Sequence, residues 1–291
     1  MIFKKFIIVI LFSISIQSGQ DYIDYPHPFH PTSSSGGMVV SQSALSSDLG
    51  VKILDMGGNA VDAAVAVGFS LAITLPRAGN LGGGGFMLVY IKEKDELFYI
   101  DYRSQSPRNA SIEKLLGVKQ TPDRDSELWN RVDYTYLASG IPGTVYGLLE
   151  AHENFGKLDL KKIMEPVIEQ AENGIVVSKD LSYVIEVTPQ LRSDKESFSI
   201  YFKDGEPLKE FSVFKRPDLA NTFREISKNG TKGFYEGVVA DKIVKAMEVN
   251  NGLITYDDLK NYKSFFRMPI AINYKGFKVF TASPPSGGGI T

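Results

Sequence analysis

Few residues in this chain could do chemistry. There is no cysteine, which excludes disulfides, thiolate nucleophiles and zinc ribbons together. There are three histidines. His27 and His30 fall in a Pro-rich N-terminal stretch and His152 falls in a predicted helix, so neither a histidine-dependent triad nor a His-rich metal site is readily built. What remains is Arg103, directly after Asp101-Tyr102 and downstream of the run Gly82-Gly83-Gly84-Gly85. Arg103 is placed where an apolar hairpin runs out, and a guanidinium at the mouth of a dry sheet needs an anionic partner. That partner is either a substrate carboxylate held by the planar fork or an acidic residue elsewhere in the chain. The residues alone leave both open. The glycines do not match a phosphate loop, since no Gly-Lys-Ser/Thr follows. Their structural alternative is a turn with φ > 0 and a close approach of backbones.

The elements that must position Arg103 follow from the apolar pattern. Phe86 to Ile91 reads as a strand, Lys92 to Glu96 as a turn and Leu97 to Tyr102 as the return strand, giving a central hairpin over 86–102. Both faces of both strands are apolar, which predicts cover on both faces. Upstream, Ser43 caps a helix over 44–56 that Gly57-Gly58 ends. Asn59 caps a second helix over 60–73, apolar all round and so buried all round, but too short to span a membrane. Downstream, 107–131 is polar and irregular, and 138–143 is a tight turn. A mostly helical layer extends over about 144–262, with His152 a partly buried helix-face residue. Pro166 is expected to kink or restart its helix, and Ser178, Asp218 and Thr255 are expected as caps, Thr255 with Asp258 at capping-box spacing. A second hairpin is predicted over 270–282, about Lys275-Gly276.

The whole chain of 291 residues is long enough for one large domain or two, and it is 43% apolar and 23% charged. A formal net charge of −2 without a basic patch sets nucleic-acid binding aside. Residues 1–20 read as a secretory signal peptide: Lys4 and Lys5, an apolar run from Phe6 to Ile16, then small residues Ser15, Ser18 and Gly19. An uncleaved anchor is the alternative. The expectation is an exported protein, periplasmic or extracellular. Residues 21–37 read as a linker. The last residues, Ser283-Pro284-Pro285-Ser286-Gly287-Gly288-Gly289-Ile290-Thr291, form a Gly-rich turn after a strand, which normally delivers the chain into another element. The sequence is therefore expected to continue.

Several motifs then occur in order: Gly57-Gly58-Asn59-Ala60-Val61-Asp62-Ala63-Ala64-Val65-Ala66, Gly79-Asn80-Leu81-Gly82-Gly83-Gly84-Gly85-Phe86, Asp101-Tyr102-Arg103, Gly140-Ile141-Pro142-Gly143-Thr144, Ala171-Glu172-Asn173-Gly174, Gly233-Phe234-Tyr235-Glu236-Gly237 and Pro284-Pro285-Ser286-Gly287-Gly288. In these, residues 38–291 resemble the front portion of the large subunit of gamma-glutamyltransferase, also called gamma-glutamyltranspeptidase or glutathione hydrolase. The resemblance implies an α+β fold, the αββα sandwich of an N-terminal-nucleophile hydrolase, incomplete in this fragment. It implies a self-cleaving precursor, no cofactor and no metal. The N-terminal threonine of the released small subunit would be the nucleophile and its own α-amine the base. That threonine is expected downstream of Thr291, so no catalytic nucleophile is expected in this chain. The resemblance places the family's carboxylate-binding arginine on Arg103. Implied partners are glutathione and other gamma-glutamyl compounds, acceptor amino acids or dipeptides, and the chain's own small subunit. Ser104 and Ser106-Pro107 stand where the family usually has glutamate and Ala-Pro. The rival readings are a cephalosporin-type acylase of the same superfamily and a non-catalytic exported binding module.

Overall fold

The structure is a computed structural model that describes residues 33–123 and 125–290. The chain divides into Met1–Gly36 and Gly37–Thr291, and the described helices and strands lie in the second unit. The expected signal peptide, and the expected linker up to residue 32, lie outside the described residues.

Two helices begin the unit, α1 (Ala44–Asp55) and α2 (Ala60–Thr74). The Ser43 hydroxyl caps α1, and Asn59 caps α2 in a reciprocal box with Asp62. Asp62 is buried and also accepts the backbone N–H groups of Lys157 and Leu158. The α2 cap thus holds a turn almost a hundred residues away. Strands β1 (Phe86–Ile91) and β2 (Glu96–Asp101) form the central hairpin, pairing Phe86 with Asp101 and Ile91 with Glu96. The stretch after it holds a short helix, α3 (Ile112–Leu116).

The helical layer comprises α4 (Thr144–Phe155), α5 (Leu160–Asn173), α6 (Lys179–Glu186), α7 (Lys195–Tyr201), α8 (Pro217–Asn229), α9 (Lys232–Tyr235), α10 (Gly237–Val249) and α11 (Tyr256–Lys260). Two-residue strands β3 (Ile175–Val176), β4 (Phe202–Lys203), β5 (Glu206–Pro207) and β6 (Val213–Phe214) interrupt it. Then come β7 (Phe265–Arg267), β8 (Ile270–Tyr274) and β9 (Phe277–Thr281). The sheet order is β1-β2-β7, all antiparallel, while among the described residues β8 and β9 pair only with each other. Lys275 and Gly276 both take φ > 0 at the β8–β9 turn, the geometry a two-residue hairpin needs.

Helix α2 is the hub of the core, packed against α1, α4 and α5, with Phe69 edge-on to Phe223 of α8. Gly68 lets α4 approach, because a Cβ there would meet the Leu148 side chain at 2.8 Å. His152 is largely buried, and its Nε2 lies 2.8 Å from the Leu158 carbonyl, to which it donates. That is a structural role, as expected.

Four expectations change. The hairpin is fully covered on one face and only in part on the other. Met87, Val89, Phe98 and Ile100 pack against the helices, whereas Leu88 and Tyr90 are 40% and 57% exposed. Alternation puts these two on the opposite face together with Tyr99 and Asp101, which are buried, so among the described residues that face is covered along β2 and left open along β1. Pro166 lies inside α5 without restarting it; the missing N–H leaves only the Lys162 carbonyl without its helical donor. The α8 cap position is Arg216, not Asp218: Pro217 occupies the first helical position, where its fixed φ suits a helix start, and Asp218 pairs with Arg216. Strand β7 was not anticipated, because three residues are too few to show a period.

Candidate functional site

Arg103 lies just past the end of β2, and its side chain is exposed. It stands at the mouth of the hairpin, where the sequence placed it. Among the described residues no carboxylate lies within ion-pairing distance of it. The acidic residue nearest in sequence, Asp101, is 3% exposed and already engaged. One of its oxygens accepts the Arg103 backbone N–H at 3.0 Å, and the other accepts the Arg267 Nε–H at 2.6 Å.

The backbone around Arg103 is held from several sides. Tyr102 exchanges two hydrogen bonds with Gly85, at 3.0 and 3.3 Å. The Tyr262 hydroxyl donates to the Arg103 carbonyl at 3.0 Å. Gln105 and Ile141 exchange backbone bonds at 2.8 and 3.3 Å, and the Gln105 amide donates to the Lys263 carbonyl at 2.8 Å. The Arg108 N–H donates to buried Asp258 at 3.1 Å, which links this segment to the α11 capping box.

The glycine-rich motifs make this packing possible. A Cβ at Gly85 would meet the Tyr102 ring at 2.7 Å, and one at Gly143 or Gly147 would overlap the Tyr102 carbonyl or ring outright. One at Gly84 would overlap the Ser104 backbone. Residues Gly82 to Gly85 do not adopt φ > 0, so their need is close approach and not a left-handed turn. The Gly83 carbonyl accepts from both Gly143 and Thr144, joining two of the glycine motifs directly.

Behind Arg103 stands a tyrosine cluster. Tyr262 stacks on Tyr235 with centroids 5.7 Å apart, and Tyr146 meets both edge-on. The Tyr235 hydroxyl donates to the Pro142 carbonyl and accepts the Tyr146 N–H. Burial pushes the Tyr102 phenol up to about 12. Burial, reinforced by the Asp101 and Glu150 carboxylates, also pushes Tyr262 up. Both therefore stay neutral, and Tyr262 stays a donor, across the ordinary pH range. For Asp258, burial acts to raise the carboxyl value, but its hydrogen bonds from Arg108 and Thr255 outweigh that, and the net direction is down.

Chemically this is a backbone arc held by hydrogen bonds from several sides, presenting one exposed guanidinium just past the end of β2. Among the described residues no cluster of metal-ligating side chains occurs. A cavity of about 470 Å³, lined by Tyr136, Leu181, Ile185 and Asp194 among others, does not include Arg103. The sequence pointed to Arg103 but not to Tyr262, Arg267 or Asp258 as its support. Each lies some 150 residues or more downstream of its contact in this segment; the capping-box spacing marks Asp258 as a cap partner of Thr255, but no local pattern marks any of the three as support for Arg103.

The model of the gamma-glutamyltranspeptidase family matches residues 46–291. The glutathione hydrolase proenzyme of Escherichia coli is 42% identical over 90% of this chain and 44% of that protein. The solved gamma-glutamyltranspeptidase of Helicobacter pylori superposes with a TM-score of 0.82 at 37% identity, covering 90% of this chain and 73% of that one. A cephalosporin acylase from Bacillus halodurans superposes with a TM-score of 0.75 at 26% identity, covering 89% of this chain and 48% of that one. The chain thus spans less than half the length of the curated relative. These likenesses bear out the α+β, N-terminal-nucleophile hydrolase fold class.

Proposed function

This chain belongs to the gamma-glutamyltranspeptidase family, and from that premise we propose that it is the front portion of an exported, self-cleaving precursor of a glutathione hydrolase. The whole enzyme would break the gamma-glutamyl amide of glutathione and its analogues and pass the acyl group to water, an amino acid or a dipeptide. In this reading the nucleophilic threonine and its α-amine base lie downstream of Thr291, in the small subunit. The part of this chain is to bind. Arg103 grips the glutamyl α-carboxylate with its two parallel N–H donors and so sets the distance from that carboxylate to the scissile amide.

The observation that carries this is the exposed Arg103 guanidinium on an otherwise fully tied backbone, with Asp101 engaged elsewhere. No carboxylate pairs with it among the described residues, so the fork can accept one from a substrate. Support from the open sheet face is geometric. Leu88, Tyr90, Phe265, Phe277 and Phe280 are exposed there and on the β8–β9 hairpin, leaving apolar area for the downstream half to cover.

The test uses the processed full-length enzyme with two substrates: a gamma-glutamyl anilide and the same anilide lacking the α-carboxylate. Truncating one partner of a desolvated charge pair costs roughly 2–5 kcal/mol, or ~30-fold to several thousand-fold in kcat/KM. Arg103→Ala should lose that on the first substrate and hardly anything on the second. Arg103→Lys keeps the charge without the fork and should still lose substantially. Self-cleavage should survive both changes. Equal losses on both substrates would falsify the carboxylate assignment. Efficient turnover of a cephalosporin side-chain amide, with little activity on the glutamyl anilide, would favour the acylase reading.

A further inference from the structure

The β2–β7 ladder pairs Tyr99 with Arg267, Ile100 with Phe266 and Asp101 with Phe265, and stops there. Continued by one more hydrogen-bonded step, the same register sets Arg103 opposite Lys263. That step is absent from the ladder. Arg103 therefore stands where its N–H and C=O face a strand that has run out, the position at which a sheet end ordinarily frays. Both groups are nonetheless satisfied, and by side chains. Asp101 accepts the N–H, and Tyr262, three residues before β7, donates to the C=O. Both side chains are almost wholly buried, which shields each anchor from bulk water on its own side of the bond. Arg267 holds the far oxygen of Asp101, and Tyr235 stacks under Tyr262, so each anchor is itself fixed.

We propose that Asp101 and Tyr262 are positioning residues that together replace one rung of the sheet and so aim the Arg103 guanidinium. This rests on the reading of Arg103 as the carboxylate grip. The chemical logic is that a long, exposed arginine has many rotamers, and only a fixed Cα position keeps its fork within reach of a bound carboxylate. A plain strand rung would place a backbone neighbour beside Arg103. Side-chain anchors satisfy the backbone while leaving the ground in front of it open.

The experiment uses the processed full-length enzyme and the two anilides described above. Tyr262→Phe removes only the donor and keeps the ring on Tyr235, so it is the variant least able to disturb folding. It should raise KM for the glutamyl anilide about 2- to 10-fold, the worth of one neutral hydrogen bond, with kcat within ~2-fold. The substrate lacking the α-carboxylate should show no change. Asp101→Asn weakens an anchor that is charged and should raise KM further, about 10- to 100-fold, with the same selectivity. If Asp101→Asn does not process, Tyr262→Phe decides alone. Losses of equal size on both substrates, or no loss in Tyr262→Phe, overturn the proposal. Arg103→Ala run in parallel separates the two ideas. If it is selective while the anchor variants are not, the grip stands and the positioning role falls. If it is itself unselective, the grip falls first.

Discussion

At the scale of single residues, the site is governed by what lies behind Arg103. Gly143 and Gly147 face the Tyr102 carbonyl and ring with no room for a methyl group. Gly143→Ala should therefore displace Tyr102 and the arc that follows it. The expected cost is about 1–3 kcal/mol, the usual range for overpacking, with a fall in processed enzyme on a denaturing gel. Gly117→Ala is the control, since φ +72 strains it but it touches nothing. It should lower stability modestly without affecting the site. Asp258 carries a pH prediction. Its folded carboxyl value is lowered from 3.8, so its contribution is fully present above the unfolded value. That contribution is lost as pH falls through the lower folded value. An Asp258→Asn precursor should be less stable than wild type at pH 6, and the gap should narrow as pH is taken below about 4. A gap that stays constant down to pH 2 in urea melts would show that Asp258 acts only by its shape.

At the scale of elements, the central hairpin has two unlike faces. Ile100 is fully buried toward the helices, while Leu88 and Tyr90 stand open, as do Phe277 and Phe280 on the separate β8–β9 hairpin. An exposed apolar strand at a sheet edge invites pairing with another chain, and β1 is such an edge. In the isolated chain, Leu88→Lys with Phe277→Lys should raise soluble yield several-fold. Ile100→Lys should abolish it, because that charge would be buried without a partner. Equal effects from both substitutions, read by the soluble fraction after expression, would contradict the open state of β1 at Leu88.

At the scale of the whole molecule, the helical core around α2 is well formed while the sheet is not. Phe69, Ile73, Ile163, Met164 and Phe223 are all fully buried. The β8–β9 hairpin has no sheet neighbour among the described residues. Residues 21–291 expressed alone should keep helical circular dichroism yet self-associate, and should show no turnover of a gamma-glutamyl anilide. A monodisperse monomer in sedimentation would count against the first expectation. Turnover above a matched blank would place a nucleophile inside this chain.

The sequence by itself determined α1, α2, the helical layer from α4 on, both hairpins and the family, but not α3, which lies in the stretch read as irregular. Their signals are local: Ser43 and Asn59 as caps, Thr255 with Asp258 as a box, Lys275-Gly276 as a turn. A cap or a turn is made by residues within a few positions of one another, so a linear reading reaches it. It also singled out Arg103. It did not reach the exposed state of Arg103, the partial cover of the hairpin's second face, or the partners of Asp101. Apolar side chains on both faces of a strand say that both faces want cover, but not which atoms supply it. The Arg267 and Tyr262 contacts join residues some 160 positions apart, and only the folding of β7 against β2 brings them together. Pairing at that separation depends on register, and register is a property of the assembled sheet, which no local spacing encodes.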